Sequence, residues 1–537
     1  MTLHLSLVTL HLSSDSPRPW HRTGSVAACG TAFAPDGTML RAPALAAHLD
    51  GPATSFVDRL AALSGTFAAV HTGDVVIAAV DRIRSTPLFY GRDAAGTLCL
   101  SDDARWLADA TDARLDDPAA AAEFMLASAT TGASTLSSSV RQMQAGEAVT
   151  FESGQETSHR YFRYGVGPTL DASEDELVER GVRLFEETFD RLIASLRGRP
   201  VAVPLSGGMD SRLIAAMLVR GGRTDTICFS YGRARSFETR ASRRVAASLG
   251  LRWSFVPYSN REWHRWFASE GFQRFRRTAT GLTTIEHEQD WPAVRTLRER
   301  GLGDDAIFVP GHAGDFLGGS HLPTAPVVEQ DPAEWLWRRY YIEWPTSALD
   351  PDLHAVLRDR IVAQVDSVSD PVAAFTHFGW QERQAKMIAN SVRVYEHHGF
   401  DWRLPFWADP ALLDFWGRVP VRFRRGRRLY FRVLRRLMGD ALFDLPSTLR
   451  PESRIAGKVR RLTDRDHYRY GIWLGRTPLL AALRTRIRDL AAASEHPVVG
   501  PVVDQLVHPV GALPPQRVGI NGLLALSQLD TLCREIE

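Results

Sequence analysis

The stretch Val201-Ala-Val-Pro-Leu-Ser-Gly-Gly-Met-Asp-Ser-Arg212 constrains this chain more than any other. Val201 to Leu205 is a short apolar run of the kind that lies buried in a parallel sheet. A helical pattern follows the loop at once, from Arg212 to Arg220, with Leu213, Ile214, Ala216, Met217 and Leu218 along it. A strand that turns through two glycines into a helix presents unpaired N–H groups and the positive end of a helix dipole, which together make an anion site. Gly207 and Gly208 allow close backbone approach, Ser206 and Ser211 add hydroxyl donors, and Asp210 can hold a divalent metal against phosphates. No lysine follows the glycines, so this is not the G-x-x-x-x-G-K-[ST] loop. The plainer reading, an ordinary strand–turn–helix corner, leaves too many agreeing features to chance.

The next segments extend the pattern. Asp225 to Ser230 reads as a second strand, Ser236 to Leu249 as its crossover helix with Gly250 as C-cap, and Leu251 to Val256 as a third strand. Strand and helix alternating at this spacing predict a doubly wound parallel α/β sheet, with ligand at the carboxyl ends of its strands. Ile307-Phe-Val-Pro-Gly-His-Ala-Gly-Asp-Phe-Leu-Gly-Gly319 is a further apolar strand, ending in a glycine-rich turn that carries His312 and Asp315. Histidine is neutral and basic near neutral pH and suits proton abstraction.

The S-G-G-x-D-S loop resembles the pyrophosphate loop of the N-type ATP pyrophosphatases, and residues 307–319 are similar to the S-G-E-G-A-D-E-L-F-G-G segment of the asparagine synthetase family. The resemblance implies that Leu205, Ser206, Gly207, Gly208, Asp210, Ser211 and Gly311 bind ATP, with Phe229 and Ser230 flanking the adenine. It implies that Asp210 and Asp315 share Mg²⁺. His312 falls where asparagine synthetases carry a glutamate and β-lactam synthetase-like enzymes a tyrosine, the residue proposed to take the proton from the attacking amine. The match lacks one residue between Asp315 and Gly318-Gly319, and Phe316 replaces a second acid. Asn390 to Asp409 resembles the family's E-x-R-V-P-F-L-D segment through Arg403, Pro405, Phe406 and Asp409. Glu396, with five extra residues before Arg403, is then the group expected to orient His312. Glu238 occupies an acidic position of the family, or is simply a solvated carboxylate at a helix start. Lys458 stands where the family carries its catalytic lysine.

The N-terminal part reads as a β-rich sandwich. Residues 3–12 alternate with a register break near Val8; a helix is expected from Thr54 to Leu63. Strands follow at Gly65 to His71 and Asp74 to Asp81, then a hairpin from Gly91 to Leu100. Leu63-Ser-Gly-Thr-Phe-Ala-Ala-Val, Asp81-Arg82, Pro87-Leu-Phe-Tyr90 and Arg160-Tyr-Phe162 are similar to the Ntn-type glutaminase domain of asparagine synthetase, whose chain begins Met-Cys-Gly. Here Met1-Thr2-Leu3 stands instead. The expectation is a degenerate glutaminase domain over 1–165, joined by the linker Gly165 to Ser173 to a synthetase domain over 174–537. The alternative is Thr2 as nucleophile with its own amine as base.

Composition excludes some classes. The 537 residues suit two or three domains, and 44% hydrophobic with 23% charged residues is the balance of a soluble globular protein. A net charge of +2 makes no case for nucleic acid or membrane, and no apolar run approaches a membrane span. No signal peptide is read at the N-terminus, and four widely spaced cysteines fit a reducing cytoplasm. Only two of the 64 basic residues, Lys386 and Lys458, are lysine. In such a chain a retained lysine points to need for a compact ammonium, which favours Lys458. Lys386, in a helical stretch without a motif, is expected to tolerate arginine. Trp335, Trp337, Trp344 and Trp380 read as core, and the nine arginines from Arg418 to Arg436 as a solvated helix face. Residues 465–537 suggest no chemistry.

The resemblance implies an ATP-dependent, Mg²⁺-requiring ligase that adenylates a carboxylate and couples it to an amine, with a small molecule or peptide as substrate. A β-lactam synthetase-like enzyme or a lasso peptide macrolactam cyclase, a glutamine-hydrolysing asparagine synthase and a non-catalytic nucleotide-binding scaffold are the alternatives. A homodimer or a partner protein delivering a peptide are the protein partners considered.

Overall fold

The computed structural model describes residues 2–4, 8–14, 16–322, 331–344, 346, 349–447, 492–507 and 520–536. Its N-terminal strands are β1 (Thr2–His4), β2 (Val8–His11), β3 (His21–Thr23), β4 (Val26–Phe33), β5 (Met39–Arg41) and β6 (Ser64–Thr72). They continue with β7 (Val76–Val80), β8 (Phe89–Arg92), β9 (Leu98–Ser101), β10 (Val140–Gln142), β11 (Glu147–Glu152) and β12 (Gln155–Arg160). One sheet runs β1-β2-β9-β8-β10; the other runs β12-β11-β7-β6-β4-β3, with β5 on β4. Period-two alternation stacks them. Leu10, Cys29, Ala68, Val70, Ala78, Val80 and Leu100 fill the space between the sheets, while Ala28, Ala69, Ile77 and Ala79 face the helices Ala42–Leu49 and Phe56–Ala61. The expected break near Val8 falls where β2 begins, and β1 and β2 pair antiparallel.

The helix Glu174–Leu196 opens the C-terminal domain with a capping box, Ser173 and Glu176 bonding each other's backbone N–H. The sheet beyond it is wholly parallel: β13 (Val201–Pro204), β14 (Ile227–Gly232), β15 (Arg252–Pro257), β16 (Ile307–Phe308) and β17 (Asp401–Trp402), in the order β15-β14-β13-β16-β17. The order reverses between β13 and β16, so the loops after these two strands diverge into the crevice where such sheets bind ligands.

One expectation changes here, that for Lys386. Four of the nine arginines lie on the helix Arg428–Met438, whose apolar face (Leu429, Val433, Leu434, Leu437) is buried. Its arginines pair with the acidic start of Glu174–Leu196: Arg428 with Glu174, Arg432 with Asp175 at 2.7 Å and Arg436 with Glu179 at 3.1 Å. These arginine side chains remain 43–63% exposed, so the expected solvated face is present and carries ion pairs to a neighbouring helix. Lys386 is not a tolerant surface position. It is fully buried, 2.6 Å from Glu382, and its Nζ donates to the carbonyls of Thr130 (2.6 Å) and Gly132 (3.2 Å), while Glu382 accepts from Gly132 N at 2.8 Å. A π-helical turn, Gly379–Gln384, carries this pair to the N-terminal domain. Trp337, Trp344 and Trp380 are buried and Trp335 stacks on Phe375, as core. The C-terminal helix Ile520–Ile536 packs back against Pro118–Ala127.

Candidate active site

The loop after β13 is cross-tied before any ligand is considered. Ser206 N donates to Ser211 Oγ at 3.1 Å, the two serine hydroxyls lie 3.0 Å apart, and Gly208 N donates to Ser206 Oγ at 3.1 Å. Leu205 N donates to Phe229 O at 2.8 Å, which fixes the loop's exit from the sheet. The helix then starts at Asp210, just beyond the carboxyl end of β13, with first-turn N–H groups that have no partner within the helix.

The loop after β16 presses against the first. A Cβ on Gly311 would lie 2.8 Å from Ser211 N, and one on Gly314 would lie 3.0 Å from Asp210 Cγ and 2.8 Å from the Phe406 ring. Glycine is required at both by this approach. Ala313 bends the chain through φ +52° into the short helix Gly314–Leu317. Trp407 Nε1 holds the loop by donating to His312 O at 2.8 Å.

Asp210 and Asp315 meet where the loops touch. Asp315 N donates to Asp210 Oδ2 at 2.9 Å, Tyr430 OH to Asp210 Oδ1 at 2.8 Å, and Arg427 stands 3.5 Å from Asp315 Oδ2. Burial, then the Asp315 charge, pushes the Asp210 carboxyl up to about 7. Two carboxylates this close with one distant arginine lack positive charge, and a divalent cation would relieve them; the pair fits Mg²⁺. Among the described residues no cluster of three or more His, Cys, Asp or Glu side chains forms a metal site, so the remaining ligands would come from phosphate and water.

A pH effect follows. A raised carboxyl pKa means that the folded chain favours the proton, so stability from this group is full below the ordinary carboxylate range and lost as pH rises through about 7. Without divalent metal the Tm is expected to fall between about pH 5 and about pH 8, and Mg²⁺ is expected to raise it more at the higher pH. Calorimetry checks this; an equal Mg²⁺ shift at both pH values would show that no cation relieves the pair.

Three expected site residues lie elsewhere than the sequence suggested. The Phe229 ring is fully buried against Phe308 (5.9 Å between centroids), because the middle of a parallel sheet is covered on both faces. Its ring therefore offers no face for a nucleotide to stack on. Ser230 is buried and accepts from Ser242 Oγ at 3.1 Å. Glu396 does not orient His312: it is held by Arg393 at 2.6 Å and Trp402 Nε1 at 2.9 Å. Trp402 stacks under Arg18 of the N-terminal domain, so Glu396 belongs to the domain junction. Its neighbour Tyr395, one position round the same short helix, points the other way and donates to Asp290 at 3.0 Å. Lys458 lies outside the described residues.

The sequence missed the surroundings of His312. Its ring meets His287 edge-on, 5.6 Å between centroids, and its Nε2 is buried without a hydrogen-bond partner. Burial, then the neighbouring His287, lowers the His312 pKa to about 4, so it is a neutral base at physiological pH. His287 Nε2 is 3.2 Å from Asp290 Oδ1. No motif marked Ile285-Glu-His-Glu-Gln-Asp290; its only signal was a histidine and an acid at the head of a helix.

Strand order, the glycine loop and the paired acids make the crevice at the switch point the candidate anion and nucleotide site. The asparagine synthase family model matches residues 184–450, and the glutamine amidotransferase domain model matches residues 54–162. The chain belongs to the asparagine synthetase family, whose members are ATP-dependent, amide-forming ligases. No curated protein matches it. Among solved structures it is similar to an NH3-dependent NAD synthetase from Campylobacter jejuni subsp. jejuni NCTC 11168 in complex with the nitrate ion, at 16% identity over 35% of this chain and 93% of that one. The TM-score of 0.18 leaves that likeness without weight in the argument. No described helix is long and apolar enough to cross a membrane.

Proposed function

We propose that this protein forms an amide in two half-reactions at the β13/β16 crevice. A substrate carboxylate attacks the α-phosphorus of ATP and pyrophosphate leaves; an amine then attacks the acyl-adenylate and AMP leaves. The observation that carries this reading is the juxtaposition of the N–H-lined loop, Ser206 to Ser211, with the Asp210–Asp315 pair. The backbone N–H of Gly207 and the helix start at Asp210 would receive the pyrophosphate, joined by Gly208 N–H if the anion replaces its bond to Ser206 Oγ, and the loop serines would orient it. Mg²⁺ held by Asp210 and Asp315 would neutralise charge on the phosphates.

The amine is proposed to come from a substrate or as free ammonia, not from glutamine. In support, Cys29, Cys99, Cys228 and Cys533 are all buried, and burial pushes the Cys29 and Cys228 thiols up to about 12. Adenylation is tested by pyrophosphate release from ATP across a panel of amino acids, N-acyl amino acids and short peptides. Phosphate release in its place, or none with any acid, would overturn the reading.

Lys458 is proposed as the lysine that follows charge from phosphorus to the tetrahedral carbon, a task for a point-like ammonium. Lys458→Arg is expected to lower amide formation by about 10²-fold or more, close to 3 kcal/mol. Kinetics of purified variant and wild type check this, and an unchanged rate would remove Lys458 from the mechanism.

A further inference from the structure

Asp290 is placed to cap a helix and does not. It is the N-cap of Trp291–Glu299, yet its side chain takes no hydrogen bond from that helix. Its carboxylate turns instead to His287, with Tyr231 OH and Tyr395 OH donating to it, the latter at 3.0 Å. Burial alone would raise its pKa, but His287, His312 and the tyrosine hydroxyl outweigh burial and hold it down to about 2. Asp290 is therefore an ionised carboxylate sealed 3% exposed at the carboxyl rim of the sheet. A buried charge of this kind needs a cationic partner. The side chain that faces it is the His287 imidazole, 3.2 Å away.

The groups around this cluster come from every element packed on it. Tyr231 ends β14; Tyr258 stacks on Tyr231 at 5.0 Å and donates to Gln289 O at 2.7 Å; Tyr395 comes from Arg393–His397. Gln289 Nε2 lies 2.9 Å from His287 Nε2. His312 reaches in from the loop after β16, with its buried Nε2 unpartnered. Glu238 acts on Tyr231 at longer range.

We propose that His312, His287 and Asp290 form the proton-accepting relay of the amide-forming step, a proposal that rests on the ligase reading above. The neutral amine attacks the acyl carbon and the N–C bond forms. The C–O bond to AMP breaks, and its electron pair leaves on the AMP phosphate. The N–H proton passes to His312 and on to His287 through one bridging water, and leaves from His287, whose side chain is 21% exposed. Asp290 is a positioning residue: it orients His287 and balances the imidazolium as it forms.

The test uses the full chain, ATP and an acid that supports pyrophosphate release. Hydroxylamine traps the acyl-adenylate without help from a base; ammonium and methylamine serve as amine probes. His312→Gln and His287→Gln are expected to keep hydroxamate formation within about 3-fold and to slow amide formation by about 10²–10⁴-fold. Asp290→Asn is expected to slow amide formation by about 10-fold or more and to shift the acidic limb of its pH profile. Imidazole is expected to restore amide formation in His287→Gly. The relay is overturned if His287→Gln and Asp290→Asn leave the amide rate and its pH profile unchanged, if both half-reactions fall together, or if imidazole restores nothing. Failure of the wild-type chain to release pyrophosphate with any acid is a separate result, and it overturns the ligase reading itself.

Discussion

Asp210→Asn is expected to reduce pyrophosphate release by about 10³-fold or more, roughly 4 kcal/mol of transition-state stabilisation, while the chain still folds. The Asp210 side chain accepts from Asp315 N and Tyr430 OH, and an asparagine oxygen can still accept from one of them. What the substitution removes is the charge that would face a metal. Asp315→Asn is expected to have a similar effect, and the double variant to be little worse than either, because both carboxylates would serve one cation. Without metal at neutral pH, Asp210→Asn is expected to raise the Tm, since it ends the repulsion that lifts the Asp210 carboxyl. Loss of activity with gain of metal-free stability separates a functional carboxylate from a structural one. Retained pyrophosphate release in both single variants would move the ATP site elsewhere.

The second large effect is structural. Lys386→Met is expected to destabilise the protein by about 3–5 kcal/mol, because it leaves Glu382 buried without its cation at the domain junction. Lys386→Arg should cost about 1–3 kcal/mol, since a guanidinium does not fit a fully packed site that offers two carbonyls and one carboxylate to a compact ammonium. Combining Lys386→Met with Glu382→Gln should cost less than the sum of the single changes. Urea unfolding measures all three. If Lys386→Arg unfolds at the wild-type midpoint, the junction is not held this way.

Much of the fold was legible because it is written locally. Gly65 to His71 and Asp74 to Asp81 read as the strands β6 and β7, and an apolar run ending in Ser-Gly-Gly announced a strand, a tight turn and a helix start, whereas β4 gave no strand reading. Asp210 and Asp315 stood out for the same reason, each lying in a glycine-bearing turn after a strand. What was illegible depends on contacts across long stretches of chain. Tyr430 reaches Asp210 from within an arginine run 220 residues later, where it looked like one aromatic among charges. Lys386 finds its partners at Thr130 and Gly132, more than 250 residues earlier. Glu396 shows a different failure. The five extra residues before Arg403 left the rotation of its helix undetermined, and the residue that turns inward is Tyr395. Lysine scarcity drew attention to Lys458, which lies outside the described residues, while the reading of Lys386 as replaceable by arginine was wrong. That reading assigned Lys386 no partner because a buried ion pair across a domain junction has no local pattern.

In the proposed reaction a carboxylate oxygen becomes bonded to the α-phosphorus of ATP at the Ser206–Ser211 loop. Isotope transfer tests it most directly. The acid that supports turnover is enriched with ¹⁸O in its carboxyl group, turned over with ATP, and the AMP and phosphate products are examined by ³¹P NMR. The account predicts one ¹⁸O in the phosphate of AMP for each amide formed, with pyrophosphate unlabelled. Label in inorganic phosphate, or amide formed with unlabelled AMP, would contradict it.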